Sequence, residues 1–124
     1  PTARPPRCRQ RPAISSRRWR RELSQALREM GRVLRPGGTQ IIIETLGTGE
    51  TTPNPPGDLL AYFDYLENEA GFQSTWIRTD YKFTSRVEAQ KLTGFFFGDA
   101  MIENLINEEP AILPECTGIW CRRF

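Results

Sequence analysis

Histidine is absent from this chain, and cysteine is scarce, with three in 124 residues. Without an imidazole, the common zinc spacings and any Ser-His or Cys-His nucleophile pair cannot be built. Cys8, Cys116 and Cys121 are odd in number and form no C-x-x-C pair, which points to a reduced, cytoplasmic protein without a structural metal. No run of about 18 apolar residues occurs, so no membrane-spanning helix is expected. An apolar signal core is missing at the N-terminus as well. Acids are missing from residues 1–21, which carry eight Arg, whereas the remainder carries nine Lys or Arg against fifteen Asp or Glu. The formal net charge of +2 therefore hides a basic arm on an acidic body.

The arm, residues 1–18, is Arg- and Pro-rich with one large aliphatic, Ile14, and too little apolar surface to offset its ordering entropy, so disorder is expected. Its four prolines also spoil an amphipathic transit helix. It reads either as a tail or as an arm for nucleic acid or acidic lipid.

From Trp19 the pattern changes. Trp19, Leu23, Ala26, Leu27, Met30, Val33 and Leu34 recur at intervals of three and four, the apolar face of a helix that Pro36 ends. After Gly37-Gly38, "TQIIIET" reads as a strand whose three adjacent Ile call for burial on both faces, as in a parallel sheet. "LGTGETTPNPPG" is a loop. Leu59, Phe63, Leu66 and Ala70 mark a second helix, with Asp58 as N-cap and Gly71 past its end. "FQSTWIRTDYKF" alternates like one strand, and "SRVE" at 85–88 has capping-box spacing that opens a third helix. Asp99 caps a fourth, and "TGIWCRRF" is the last strand. The order α-β-α-β-α-α-β gives an α/β architecture with three strands, an incomplete sheet on its own.

"ALREMGRVLRPGGTQIIIET" resembles the stretch of class I S-adenosylmethionine-dependent methyltransferases that joins the fourth crossover helix to the fifth strand. The helix ending "LENEAGF", the strand "STWIRTDYKF", an inserted helical pair and the final "GIWCRRF" continue the resemblance over about residues 19–124. It implies the C-terminal half of a Rossmann-like methyltransferase domain, with strands equivalent to the fifth, sixth and seventh. The last two would be antiparallel, the final one slotting between the fifth and sixth. The family's cofactor, S-adenosylmethionine, is held at the ends of the first strands by a glycine-rich loop and an acid on the ribose. Neither element occurs here. "GTG" at 47–49 follows the wrong strand and no helix comes directly after it, so a truncated chain that neither binds the cofactor nor turns over alone is expected.

The resemblance places acceptor contacts at the ends of the fourth and fifth strands and in later insertions. Glu44 and Thr45, at the carboxyl end of the Ile strand, sit where open α/β sheets bind ligands. Glu44 reads either as a ligand for a substrate hydroxyl or amine, or a base, or as a solvated acid at a strand end. Tyr81 is a further candidate substrate contact, alongside Tyr62 and Tyr65, and no residue stands out as catalytic. "TGFFFGD" at 93–99 reads as core packing or as an aromatic cap over an apolar acceptor, and its three adjacent Phe cannot share one helix face. Cys116 has no basic sequence neighbour to make it a nucleophile. Arg78 and Asp80 read as a surface pair.

Three functional readings follow. The first is a methyltransferase-family chain for a small-molecule acceptor. The second is a non-enzymatic module using the basic arm on nucleic acid, against which stand the acidic body and an arm without aromatics. The third is one half of a split enzyme, because an unpaired edge at strand 40–45 wants a partner chain or a second copy.

Overall fold

The computed structural model describes residues 16–124. The arm expected to be disordered lies, up to residue 15, outside the described residues. The chain separates into two compact units, Pro1–Pro36 and Gly37–Phe124.

Helix α1 spans Ser16–Arg32, starting three residues before Trp19 and ending before Val33 and Leu34, which the periodicity had placed on its face. Exposed pairs one turn apart, Arg18 with Glu22 at 3.0 Å and Arg32 with Glu29 at 2.8 Å, give it a few tenths of a kcal/mol each. Pro36 prevents continuation.

The second unit runs β1 (Thr39–Thr48), α2 (Leu60–Asp64), β2 (Gln73–Arg78), β3 (Tyr81–Phe83), α3 (Arg86–Phe97), β4 (Ala111–Leu113) and β5 (Glu115–Arg123). Helices thus accompany two antiparallel sheets in a mixed α/β arrangement, one ordered β1-β5-β2 and the other pairing β3 with β4. Strand β5 is antiparallel to both neighbours, with Ile119 opposite Ile43 on one side and Thr75 on the other. Among the described residues, no helix is long and apolar enough to cross a membrane.

One face of the three-stranded sheet carries the packing. Trp120 is 2% exposed; its ring stacks on Phe63 of α2 at 4.5 Å and its indole N–H donates to Glu67 at 3.0 Å. Two residues back on the same face, any Cβ at Gly118 would collide with that ring and with Leu46, so the indole requires glycine there. Arg122 extends the layer: its guanidinium donates to the Gln40 side-chain oxygen and to the Ala70 carbonyl, both at 2.6 Å, and lies over Phe72. Beyond Asp64 the helix widens into a π turn, Tyr65–Glu69, which Gly71 ends at φ +76° as its position predicts. Asp58 is not the N-cap; it lies inside a 3₁₀ turn after Pro56 and makes no capping bond.

The opposite face departs from the expectation of two-sided burial. Ile41 and Ile43 are 53% and 65% exposed, and the sole strand neighbour of β1 among the described residues is β5. The single long strand expected over 72–83 is also two strands. The Thr79 N–H donates to the Glu115 carbonyl and the Asp80 carboxylate takes the Glu115 N–H, which turns the chain out of the first sheet to pair with β4. That pairing, and β4 itself, depend on residues about thirty positions away, which no local alternation signals.

Around β3 and β4 a small core gathers Ala89, Leu105, Ala111 and Leu113, with Phe83, Met101 and Ile102 against it. Ser85 caps α3 by accepting from the Glu88 N–H at 3.1 Å, but Glu88 reaches one residue further back than a capping box, taking the Thr84 N–H and hydroxyl at 2.7 and 2.6 Å. The helix expected after Asp99 is a 3₁₀ turn, Asp99–Asn104, without a side-chain cap. Phe95 and Phe96 at its approach are 79% and 68% exposed, so neither is core.

Two aromatic truncations separate these environments. Trp120→Ala is expected to cost about 3–5 kcal/mol and Phe95→Ala within about 0.5 kcal/mol, read from urea unfolding midpoints.

Candidate functional site

At the carboxyl end of β1 the backbone shifts register between Thr45 and Gly47, a bulge that Gly47 accommodates at φ +135°. The Gly47 N–H donates to the Thr45 hydroxyl at 3.1 Å, and that hydroxyl donates to Glu115 at 2.7 Å. Glu115 is 6% exposed, and its second carboxylate oxygen is buried without a hydrogen-bond partner. A one-sided buried carboxylate is costly unless something supplies the missing donor.

Glu44 lies one residue away, half-buried, and accepts the Tyr62 phenol at 3.1 Å. Burial, then the Glu44 charge and then the hydrogen bond push the Tyr62 phenol up to about 12. The phenol therefore remains a donor throughout the neutral range, holding Glu44 as an acceptor.

Across the sheet, Arg78 grips Asp80 through two bonds of 2.8 and 2.9 Å, and the Asp80 carboxylate also accepts the Glu115 N–H at 3.1 Å. Those contacts, the Arg78 bond first, hold Asp80 below the usual carboxylate range. The pair does more than a surface pair would, since it fixes the junction where β2 ends and β5 begins. Thr79 and Thr117 share a short hydroxyl contact beside it. Cys116 is fully buried, its thiol donates to the Glu50 carbonyl at 3.3 Å, and burial pushes its pKa up. A buried, protonated thiol is not a nucleophile.

Of the three candidate contacts, Glu44 and Thr45 are neighbours in sequence that alternate across the strand, Glu44 bonding Tyr62 and Thr45 bonding Glu115. Tyr81 is not hydrogen-bonded to either; it lies on β3 with its ring 5.7 Å from that of Phe97. Tyr81, Phe83, Leu92, Thr93, Phe96 and Phe97 line an apolar pocket of about 310 Å³, near the small end of the range for ligand cavities. Thr93 is fully buried and its hydroxyl has no partner. Sequence reading missed Glu115, whose burial arises only when β5 pairs on both edges. It named Tyr62 without the Glu44 bond that gives it a role.

The glycines of the β1 loop are filled positions rather than a ligand cradle. A Cβ at Gly47 would meet Glu50 and the Asn54 carbonyl at 2.9–3.0 Å, and one at Gly49 would meet Met101 and Asn104 at 2.6–3.0 Å. The chain's own atoms pack closely against both glycines, and no helix follows directly after them. Among the described residues, no group of three or more acids or cysteines is placed to hold a metal ion. Compared with family profiles, curated proteins and solved structures, the chain matches none.

The Glu44–Tyr62 contact sets a measurable titration. Because the folded-state value is raised from 10 to about 12, the stabilisation linked to Tyr62 is full below pH 10 and is lost as pH rises through about 12. In Glu44→Gln the midpoint, read from tyrosinate absorbance against a Tyr62→Phe control, falls toward 10. It stays above 10 because burial, the larger cause, remains.

Proposed function

We propose that these residues are the second half of a class I methyltransferase domain whose acceptor is a small molecule. The observation that carries this reading is the strand order β1-β5-β2, with the last strand inserted antiparallel between two strands that run parallel to each other. That is the arrangement the resemblance implies for the family's fifth, seventh and sixth strands, and it follows here on the "RVLRPGG" turn that carries the resemblance. Further support comes from the polar groups at the carboxyl end of β1, where open α/β sheets place ligands.

In this reading Glu44 accepts a hydrogen bond from an acceptor hydroxyl or amine, with Tyr62 fixing its orientation. Thr45, tied to Glu115, shapes the same end of the strand. Tyr81 contributes the apolar pocket. S-adenosylmethionine supplies the methyl group in the intact family, and these residues provide none of the contacts that hold it.

Isothermal titration of the purified chain with S-adenosylmethionine and with S-adenosylhomocysteine tests the reading. No binding heat is expected from either. Stoichiometric binding in the micromolar range would contradict it, because the cofactor site would then be built from β1 onward.

A further inference from the structure

Among the described residues, no strand pairs with the outer edge of β1. From Thr39 to Thr45 it contains no Pro and no Lys or Arg, and its bulge comes only after Thr45. Ile41 and Ile43, on the uncovered face, are more than half exposed. The segment is also nearly a palindrome about Ile42: Thr39-Gln40-Ile41-Ile42-Ile43-Glu44-Thr45.

We infer that the chain forms a two-fold dimer in which β1 pairs antiparallel with β1 of a second copy, centred on Ile42. In that register Thr39 opposes Thr45 of the second copy, Gln40 opposes Glu44, and Ile42 opposes itself. Ile41 opposes Ile43 twice, once on each side of the axis. No like charges meet, and both Ile–Ile pairs lie on the open face, where cross-strand aliphatic contacts gain most.

A two-fold axis normal to the sheet, midway between the two Ile42 residues, preserves the face of each strand. The open faces of both copies therefore join into one surface across a six-stranded sheet ordered β2-β5-β1-β1-β5-β2. Such an interface is isologous and closes at two copies. The other edge of the sheet offers no such match: paired with its own copy about Trp76, β2 would set Thr75 against Ile77 and Ser74 against Arg78. The inference rests on the edge and its sequence and concerns this chain as it stands, since the missing half of an intact domain would pair along the same edge.

Sedimentation equilibrium of the full chain, with circular dichroism to confirm folding, tests it through charge placement. Wild type is expected at twice the 14.3 kDa chain mass at micromolar concentration. I41K/I43K sets Lys against Lys at both pairs and is expected to be monomeric. I41E/I43K is equally polar but sets an acid against a base at both pairs, and is expected to remain dimeric. A monomeric wild type, an open-ended assembly, or two double variants of the same oligomeric state would overturn the inference. Amide exchange on wild type provides a readout that needs no variant. Protection of those amides among Ile41 to Ile43 that point away from β5, strengthening with protein concentration, supports the dimer, and their fast exchange at every concentration overturns it.

Discussion

Strand β5 holds the second unit together, because β1 and β2 share no ladder and meet only through it. Each of its residues from Cys116 to Cys121 faces a partner on both sides, so this short segment satisfies the backbone of three strands at once. Its side chains repeat the arrangement: Trp120 anchors α2, Arg122 ties Gln40 to the end of the π turn, and Gly118 leaves room for the indole. Such a sheet cannot close until the end of the chain has returned between two strands already formed, a non-local arrangement that is costly in loop entropy.

The polar cluster follows from the same placement. Where β5 begins, its first residues meet the end of β1 and the end of β2 together. Glu115 bonds Thr45 through its side chain, Asp80 through its N–H and Thr79 through its carbonyl. One residue thereby joins all three strand ends, and its unpartnered oxygen marks the place where the cluster is incomplete. The two faces of the sheet differ for a related reason. α2 and its π turn cover Trp120, while Ile41 and Ile43 are more than half exposed.

What the sequence revealed was local. The turn at "LRPGG", the Gly71 turn and the Ser85 cap each rest on a few adjacent residues whose backbone preferences decide the outcome, although α1 already ends at Arg32, short of Val33 and Leu34. The break at Thr79, the strand β4 and the burial of Glu115 were not legible, because each is fixed by pairing with residues far along the chain. The three Ile of β1 misled for an instructive reason. An apolar run reports what a strand could bury, and the neighbours present decide what it does bury. At the end of α3 the three adjacent Phe could not share one face, and the structure leaves both Phe95 and Phe96 outside. Within the candidate site, the position of Glu44 and Thr45 was readable from strand polarity, whereas the Tyr62 bond and the separate lodging of Tyr81 required the fold.

The central claim is the position of β5, and nuclear Overhauser contacts of Ile119 test it most directly. The account predicts cross-strand backbone contacts from Ile119 to both Ile43 and Thr75. Contacts to only one of them, or direct contacts between Ile43 and Thr75, would contradict it and remove the strand order on which the proposed function rests.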